Sequence, residues 1–389
     1  MLNYIHNIPT KVYFGKGQID KLDESLKQFG KKVLLTYGGG SIKKNGLYDE
    51  VMNILKDNHY EVYELSGIDP NPRIESVYDG VKICKENNID VVLAVGGGST
   101  IDCSKAICCG VYYEGEDLYD MIRNNKSDRK ALPLVDILTL AATGSEFDDT
   151  GVISNLNTYE KLGATLTYPS VSICDPTYTF TVSKYQTAAG SIDIMSHIME
   201  GYFSKTEDSD LSDGIAETVL KSVIKNLPIA LNEPDNYSAR ANLMACSSVA
   251  CSGIPEYGKE VNGWPCHSME HELSAYYDIT HGVGLAILTP RWMRYIVKKD
   301  PSCKWRFVKF AKNVWGLEND NEDELVNTGI DALEKFFIDS GIPMTLSELN
   351  IGKENFEAMA KHANRNDRLG RNFVPLNEKD IELIFESCL

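Results

Sequence analysis

The sequence predicts an α/β fold: a Rossmann-like parallel-sheet domain over residues 1–182, followed by an all-helical domain over residues 183–389. Three observations lead there. Short apolar runs alternate with amphipathic stretches through the first half, the pattern of a parallel sheet covered on both faces. Two of those runs end in three-glycine turns, Gly38-Gly39-Gly40 and Gly96-Gly97-Gly98. From about Lys184 the strand runs stop and long helical periodicities take over.

Taken in order, Lys32 to Tyr37 is a strand that ends in Gly38 to Ser41, and a helix follows from Leu47 to Asn58. Glu61 to Leu65 is the next strand, ending in the turn Asp69-Pro-Asn-Pro72. A helix through Val81 and Cys84 leads to a third strand, Asp90 to Val95, which runs into Gly96-Gly-Gly-Ser-Thr-Ile-Asp102 and another helix. Beyond Pro133, Leu134 to Thr139 is a strand that leads to Ala142-Thr-Gly-Ser-Glu146. Val152 to Ser154 and Ala164 to Leu166 read as short antiparallel strands about a polar turn, and the domain boundary falls near Thr181 to Ser183.

A chain of 389 residues suits two domains rather than one core. Its hydrophobic content of 43% and charged content of 24% describe a soluble globular protein. The formal charge of -17 excludes the basic surface that nucleic acid or an anionic membrane requires. The start, Met1-Leu-Asn-Tyr-Ile-His6, lacks the layout of a signal peptide, and no window has the apolar length of a membrane span, so a cytoplasmic location is expected. The ten cysteines are scattered without CxxC spacing and are expected to be reduced packing residues, with Cys266 the one beside a candidate metal ligand.

In the helical half, Asp193 and His197 stand four residues apart, as do His267 and His271, and His281-Gly282 follows. Residues i and i+4 share a helix face, so each pair can point at one ion. Imidazole nitrogens with a carboxylate oxygen are the donor set of a catalytic divalent metal. A lone histidine on such a helix would more simply be a satisfied core group. Two such pairs on largely apolar helices, where an unpaired imidazole is costly, favour a metal held by Asp193, His197 and two of the three later histidines.

In the first half, Gly96 to Ser99 follows a strand and opens a helix, where free amides can receive a pyrophosphate. Ligands of open parallel sheets sit at the carboxyl ends of the strands, so a dinucleotide could span both glycine clusters. The first cluster carries Ser41 and Lys43 and no carboxylate. An acidic residue there would bind a free ribose 2′-hydroxyl and repel a 2′-phosphate, so its absence predicts NADP(H) in preference to NAD(H).

Together, Gly96 to Lys105, Ala142 to Glu146, Asp193-x-x-x-His197 and His267-x-x-x-His271 with His281-Gly282 resemble the signatures of the iron-containing, metal-dependent group III alcohol dehydrogenases. The likeness is greatest to their NADPH-dependent, butanol-type branch. It implies metal ligands Asp193, His197, His267 and His281, with Fe2+ or Zn2+ as the ion, and places His271 beside nicotinamide and substrate as the candidate proton relay. It also implies cofactor contacts from Gly39, Ser41, Asn71, Gly97, Gly98, Ser99, Asp102, Thr139, Thr143, Lys161 and Tyr178. Leu140 stands where many members have threonine. The implied reaction is hydride transfer between a short-chain alcohol or aldehyde and the nicotinamide, by a homodimer joined through an N-terminal strand such as Lys11 to Phe14. A broad-range aldehyde reductase and a glycerol dehydrogenase-like enzyme are the nearest rivals. A metallohydrolase would need no nucleotide site, which the strand-end glycines oppose.

Overall fold

The computed structural model describes residues 1–125, 127, 130–260 and 263–389. It divides into two compact units, Asn7–Val182 with Pro234–Ser252, and Met1–His6 with Ser183–Glu233 and Gly253–Leu389. The chain does cross from one unit to the other after Val182. A single cut there nevertheless misassigns two segments: Pro234–Ser252 belongs with the sheet, and Met1–His6 with the helices. The first exchange has a local cause, because the helix within Pro234–Ser252 is hydrogen-bonded to the turn at residues 142–146 through Ser247 and Ser248.

The sheet unit holds β1 (Lys11–Phe14), β2 (Lys32–Tyr37), β3 (Glu61–Leu65), β4 (Val91–Gly96), β5 (Leu134–Leu138), β6 (Thr150–Asn155), β7 (Glu160–Thr165) and β8 (Val171–Cys174). Six of them form one sheet in the order β1-β8-β5-β4-β2-β3, every pair parallel. β6 and β7 form a separate antiparallel hairpin. The strand β8 is absent from the sequence reading. Its four residues, between Pro169 and the Asp175-Pro176 turn, are too few to show a period.

Both faces of the sheet are covered, which is why its central strands are apolar at consecutive positions rather than at alternate ones. On one face Leu34, Val92, Ala94 and Leu134 pack against α2 (Ile74–Asn87) and α3 (Gly98–Gly110). On the other Val33, Leu35, Leu93 and Val135 pack against α1 (Leu47–Asp57). From β2 the chain passes to β3 on one side, whereas from β4 it passes to β5 on the other. The carboxyl ends of β2 and β4 therefore flank a topological switch point, the position at which open α/β sheets bind ligands. The two glycine turns, residues 38–40 and 96–98, are the segments that leave those two ends.

The other unit is built from α4 (Lys184–Tyr202), the helix Asp210–Asn232, α6 (Pro265–Tyr277), α7 (His281–Lys299) and the shorter helices that follow; α5 (Tyr237–Ala250) belongs to the sheet unit. Among the described residues the helical unit has no strand, and no helix of the chain is long and apolar enough to cross a membrane.

Candidate active site

Helix α4 is started by the Ser183 hydroxyl, which accepts from the Gln186 amide, and is buried from Thr187 to Tyr202. A helix apolar nearly all round is a core helix, and any polar side chain on it must find a partner there. Asp193, His197 and Glu200 are the carboxylate and imidazole side chains among them, 2%, 8% and 2% exposed. Pro265 opens α6 and places His267 in its first turn. His281 is the first residue of α7. The next residue explains how it arrives there: a Cβ on Gly282 would stand 2.0 Å from the Ala189 carbonyl oxygen of α4. Only glycine allows that approach, which draws the start of α7 onto α4 one turn before Asp193.

The four side chains converge on one oxygen. From Asp193 Oδ1 it is 3.2 Å to His197 Nδ1, 3.8 Å to His267 Nε2 and 3.6 Å to His281 Nε2. Asp193, His197 and His267 each present a donor atom within 4.8 Å of the others. Each ring is tied down through Nδ1, which is the side away from Asp193 in His267 and His281 and the side toward it in His197. His197 Nδ1 bonds the Asp193 carbonyl at 2.8 Å, His267 Nδ1 bonds Glu200 Oε1 at 3.1 Å, and His281 Nδ1 bonds the Glu270 carboxylate. An Nδ1–H spent in this way leaves the lone pair on Nε2. Asp193 Oδ1 and His267 Nε2, both buried, make no hydrogen bond.

The charges agree with that geometry. Burial would raise the Asp193 carboxyl, but His197 and His281 outweigh it and hold the group well below the usual carboxylate range. Burial likewise opposes a proton on His267, yet Asp193 and Glu200 raise it to about 9. The pocket thus favours positive charge at the point where orphaned lone pairs meet, and a divalent cation fits these residues.

His271 stands apart from the Asp193 cluster, half-buried on α6, with its ring 5.7 Å from that of His281 and 6.4 Å from that of His267. It shares with Glu270 and His281 a second grouping of donor atoms, in which the His281–Glu270 bond already employs two members. Cys266 is buried with its thiol pushed well above its ordinary value by that burial, and it is not among the clustered donors. All ten cysteines are free thiols.

In the sheet unit, the candidate nucleotide residues gather at the carboxyl ends of the strands. Gly39 and Ser41 are exposed after β2, and the turn holds its shape because Gly40 adopts φ +99°. Gly97, Gly98 and Ser99 follow β4, and the Ser99 hydroxyl donates to the Pro70 carbonyl, which brings the buried Asn71 beside the Gly96 to Ser99 turn. Thr139 continues β5, its amide bonded to the Gly96 carbonyl at 2.9 Å, and a Cβ on Gly98 would lie 2.2 Å from Thr143 Oγ1. Lys161, 4% exposed on β7, pairs across from Ser154, whose amide bonds the Pro72 carbonyl at 2.8 Å. Tyr178 follows β8 and donates to Glu50 at 3.2 Å. Asp102 differs from the rest. It is buried, with one carboxylate oxygen accepting from Ser145 Oγ at 2.5 Å and the other from the Val152 amide at 2.9 Å.

A model of iron-containing alcohol dehydrogenases matches residues 9–176, and the model of the C-terminal part of that family matches residues 187–389. The chain belongs to the iron-containing alcohol dehydrogenase family. Alcohol and aldehyde interconversion with a nicotinamide cofactor and a divalent metal goes with that membership. The chain is 52% identical to NADH-dependent butanol dehydrogenase A of Clostridium acetobutylicum over 99% of both chains. It is 35% identical to the NADPH-dependent aldehyde reductase YqhD of Escherichia coli over 93% of this chain and 92% of that one. The crystal structure of an NADH-dependent butanol dehydrogenase A from Thermotoga maritima superposes with a TM-score of 0.93 at 38% identity, covering 100% of this chain and 99% of the other.

Proposed function

We propose that this dehydrogenase interconverts short-chain primary alcohols and aldehydes of the butanol and butanal type, with Asp193, His197, His267 and His281 holding a divalent ion, Fe2+ or Zn2+. The observation that carries the reading is the buried Asp193 Oδ1, without a hydrogen bond, faced by the Nε2 atoms of His267 and His281 at 3.8 and 3.6 Å. A divalent ion held there supplies Lewis acidity to a substrate oxygen. A bound nicotinamide supplies the hydride, and the protein's task is to position it. The chain's own residues orient, exclude water and move one proton. Glu200 and Glu270 fix the rings of His267 and His281 through their Nδ1 atoms. His271, half-buried and outside that set, exchanges the substrate proton at a ring nitrogen.

Gly97, Gly98 and Ser99 receive the pyrophosphate at the start of α3, as expected of a helix N-terminus of this length. Gly39 and Ser41 face the adenosine ribose, and Asn71, Thr139, Thr143, Lys161 and Tyr178 line the remainder of the cofactor. Asp102 acts from behind, since both of its oxygens are committed to Ser145 and Val152.

Two considerations oppose each other on nicotinamide choice. The turn after β2 carries no carboxylate, and Lys43 lies over the rings of Tyr37 and Tyr48 at 5.0 and 4.5 Å, which favours a 2′-phosphate. The 52% identical relative is named for NADH. We read the turn as one that accepts both nicotinamides, with NADP(H) the better substrate. An assay of an aldehyde series against NADH and NADPH, on protein of known metal content, tests this. A rate with butanal above that with glycerol's aldehyde and with branched aldehydes supports the butanol-type reading, a flat profile favours a broad aldehyde reductase, and no oxidation of either nicotinamide refutes both. β1 lies at the edge of the sheet with Phe14 43% exposed, so a homodimer joined along that strand is the expected assembly, measurable by light scattering.

A further inference from the structure

The turn from Ala142 to Glu146 leaves β5 and carries Thr143, which the proposed function places against the cofactor. It is gripped from two sides within the sheet unit. On one side α3 holds it: Asp102 accepts from Ser145 Oγ, and Gly98 approaches Thr143 so closely that a Cβ would meet its hydroxyl at 2.2 Å. On the other side stands α5, a helix that comes from the distant segment Pro234–Ser252. Ser247 is fully buried, and its Oγ accepts from two backbone amides of the turn, Ala142 and Gly144, at 3.2 Å each. Its neighbour Ser248 donates to Glu146 Oε1 at 2.6 Å. Gly144 has φ +68°, and a Cβ there would stand 2.7 Å from the Ser247 carbonyl oxygen, so turn and helix touch backbone to backbone.

We propose that Ser247 is a positioning residue for the nicotinamide end of the cofactor site. One hydroxyl oxygen satisfies the amides of Ala142 and Gly144, which fixes the peptide plane before Ala142 and the one that follows Thr143, and so holds the backbone that carries the Thr143 side chain. Nothing in the spacing of the sequence reveals this, because Ser247 lies 103 residues beyond Gly144. Removal of the hydroxyl leaves two buried amides without their acceptor, and the turn relaxes toward other partners. The consequence is local: Thr143 moves, while the Gly96 to Ser99 turn on β4 and α3 keeps its own bonds, including that of Ser99 to Pro70.

The inference rests on the cofactor reading given above, and its test separates the two. The metal-loaded enzyme and its Ser247→Ala variant are titrated by calorimetry with NADH, with NADPH and with ADP-ribose, which lacks the nicotinamide ring. The proposal expects Ser247→Ala to weaken the two dinucleotides by about tenfold, and ADP-ribose by less than twofold, with an unchanged metal content. Ser247→Cys, whose sulfur is a weak acceptor of similar size, falls between the two and serves as the deciding variant if the alanine protein does not fold. Equal weakening of all three ligands, or no weakening of any, overturns the role of Ser247. A wild-type protein that binds none of the three overturns the cofactor reading itself.

Discussion

Glu200 offers the sharpest perturbation of the proposed metal centre, because two hydrogen bonds tie it to His267. Its Oε1 accepts from the His267 backbone amide at 2.9 Å and from His267 Nδ1 at 3.1 Å, in a site where the carboxylate is 2% exposed. In Glu200→Gln the amide oxygen can retain both bonds, so shape is kept and charge is lost. A hydrogen bond to a charged group contributes about 1.5 to 3 kcal/mol and a neutral one about 0.5 to 1.5 kcal/mol. Loss of the charge at two bonds therefore removes about 2 kcal/mol, and loss of a partner of this kind commonly costs about 10- to 100-fold in metal affinity. The variant is expected to bind Zn2+ or Fe2+ roughly thirtyfold more weakly, a factor equivalent to about 2 kcal/mol. Competition against a chromophoric chelator at fixed pH measures it, with circular dichroism as the check on folding. A folded Glu200→Gln protein with metal affinity within twofold of wild type would refute the assignment of His267 as a ligand oriented by Glu200.

Gly282→Ala puts a methyl group 2.0 Å from the Ala189 carbonyl, so the start of α7 must shift and carry His281 with it; metal content per folded chain should fall, and full occupancy would show that His281 is dispensable. In the sheet unit, a side chain on Gly39 meets nothing within 4 Å and Gly39 has no positive φ, so Gly39→Asp should be tolerated. The new carboxylate should lower kcat/KM for NADPH relative to NADH by about tenfold or more, and an unchanged ratio would place the 2′-position elsewhere. Buried Glu146 is raised by burial from 4.5 to about 7, and Asp102 from 3.8 to about 6. Raised carboxyls favour the folded state most below their unfolded values, and that contribution is lost as pH climbs through the folded ones. The urea midpoint of the sheet unit should accordingly decline between about pH 4 and pH 7, and Glu146→Gln should flatten the decline; an increase over that range contradicts it.

How much of this was legible in the sequence depended on whether the information was local. β2 and β5 are mostly branched apolar residues and β3 sets Val62, Tyr63 and Leu65 among glutamates, each next to glycine or proline turns, and the structure places them within a residue of where the pattern ends. The i,i+4 spacing put Asp193 and His197 on one face, but it offered His267 and His271 equally. Only the meeting of α4, α6 and α7 separates His267, 3.8 Å from Asp193 Oδ1, from His271. The resemblance to a family made that choice; periodicity could not. The resemblance implies Asp102 as a cofactor contact; that its oxygens also accept from Ser145 and Val152, partners 43 and 50 residues away, no local pattern could show. The place of α5 in the sheet unit was equally hidden, since its helical pattern is indistinguishable from that of the helices before and after it.

Asp136 shows how far hydrogen bonding alone can settle a protonation state. Ser172 Oγ lies 2.6 Å from Asp136 Oδ2 and 2.7 Å from the Glu146 carbonyl oxygen, and a hydroxyl has one proton to give. The carbonyl can only accept, so Ser172 donates there and the buried carboxyl of Asp136 donates to Ser172. The same burial that lifts its pKa well above the ordinary value keeps that proton in place.

The most direct trial of the central claim is a metal titration of chelator-stripped protein with butanal and NADPH as reporters. If Asp193, His197, His267 and His281 form one site, turnover should be absent at the start, rise in proportion to added Fe2+ or Zn2+, and level off at one equivalent per chain. Stripped protein that turns over at the full rate would contradict it.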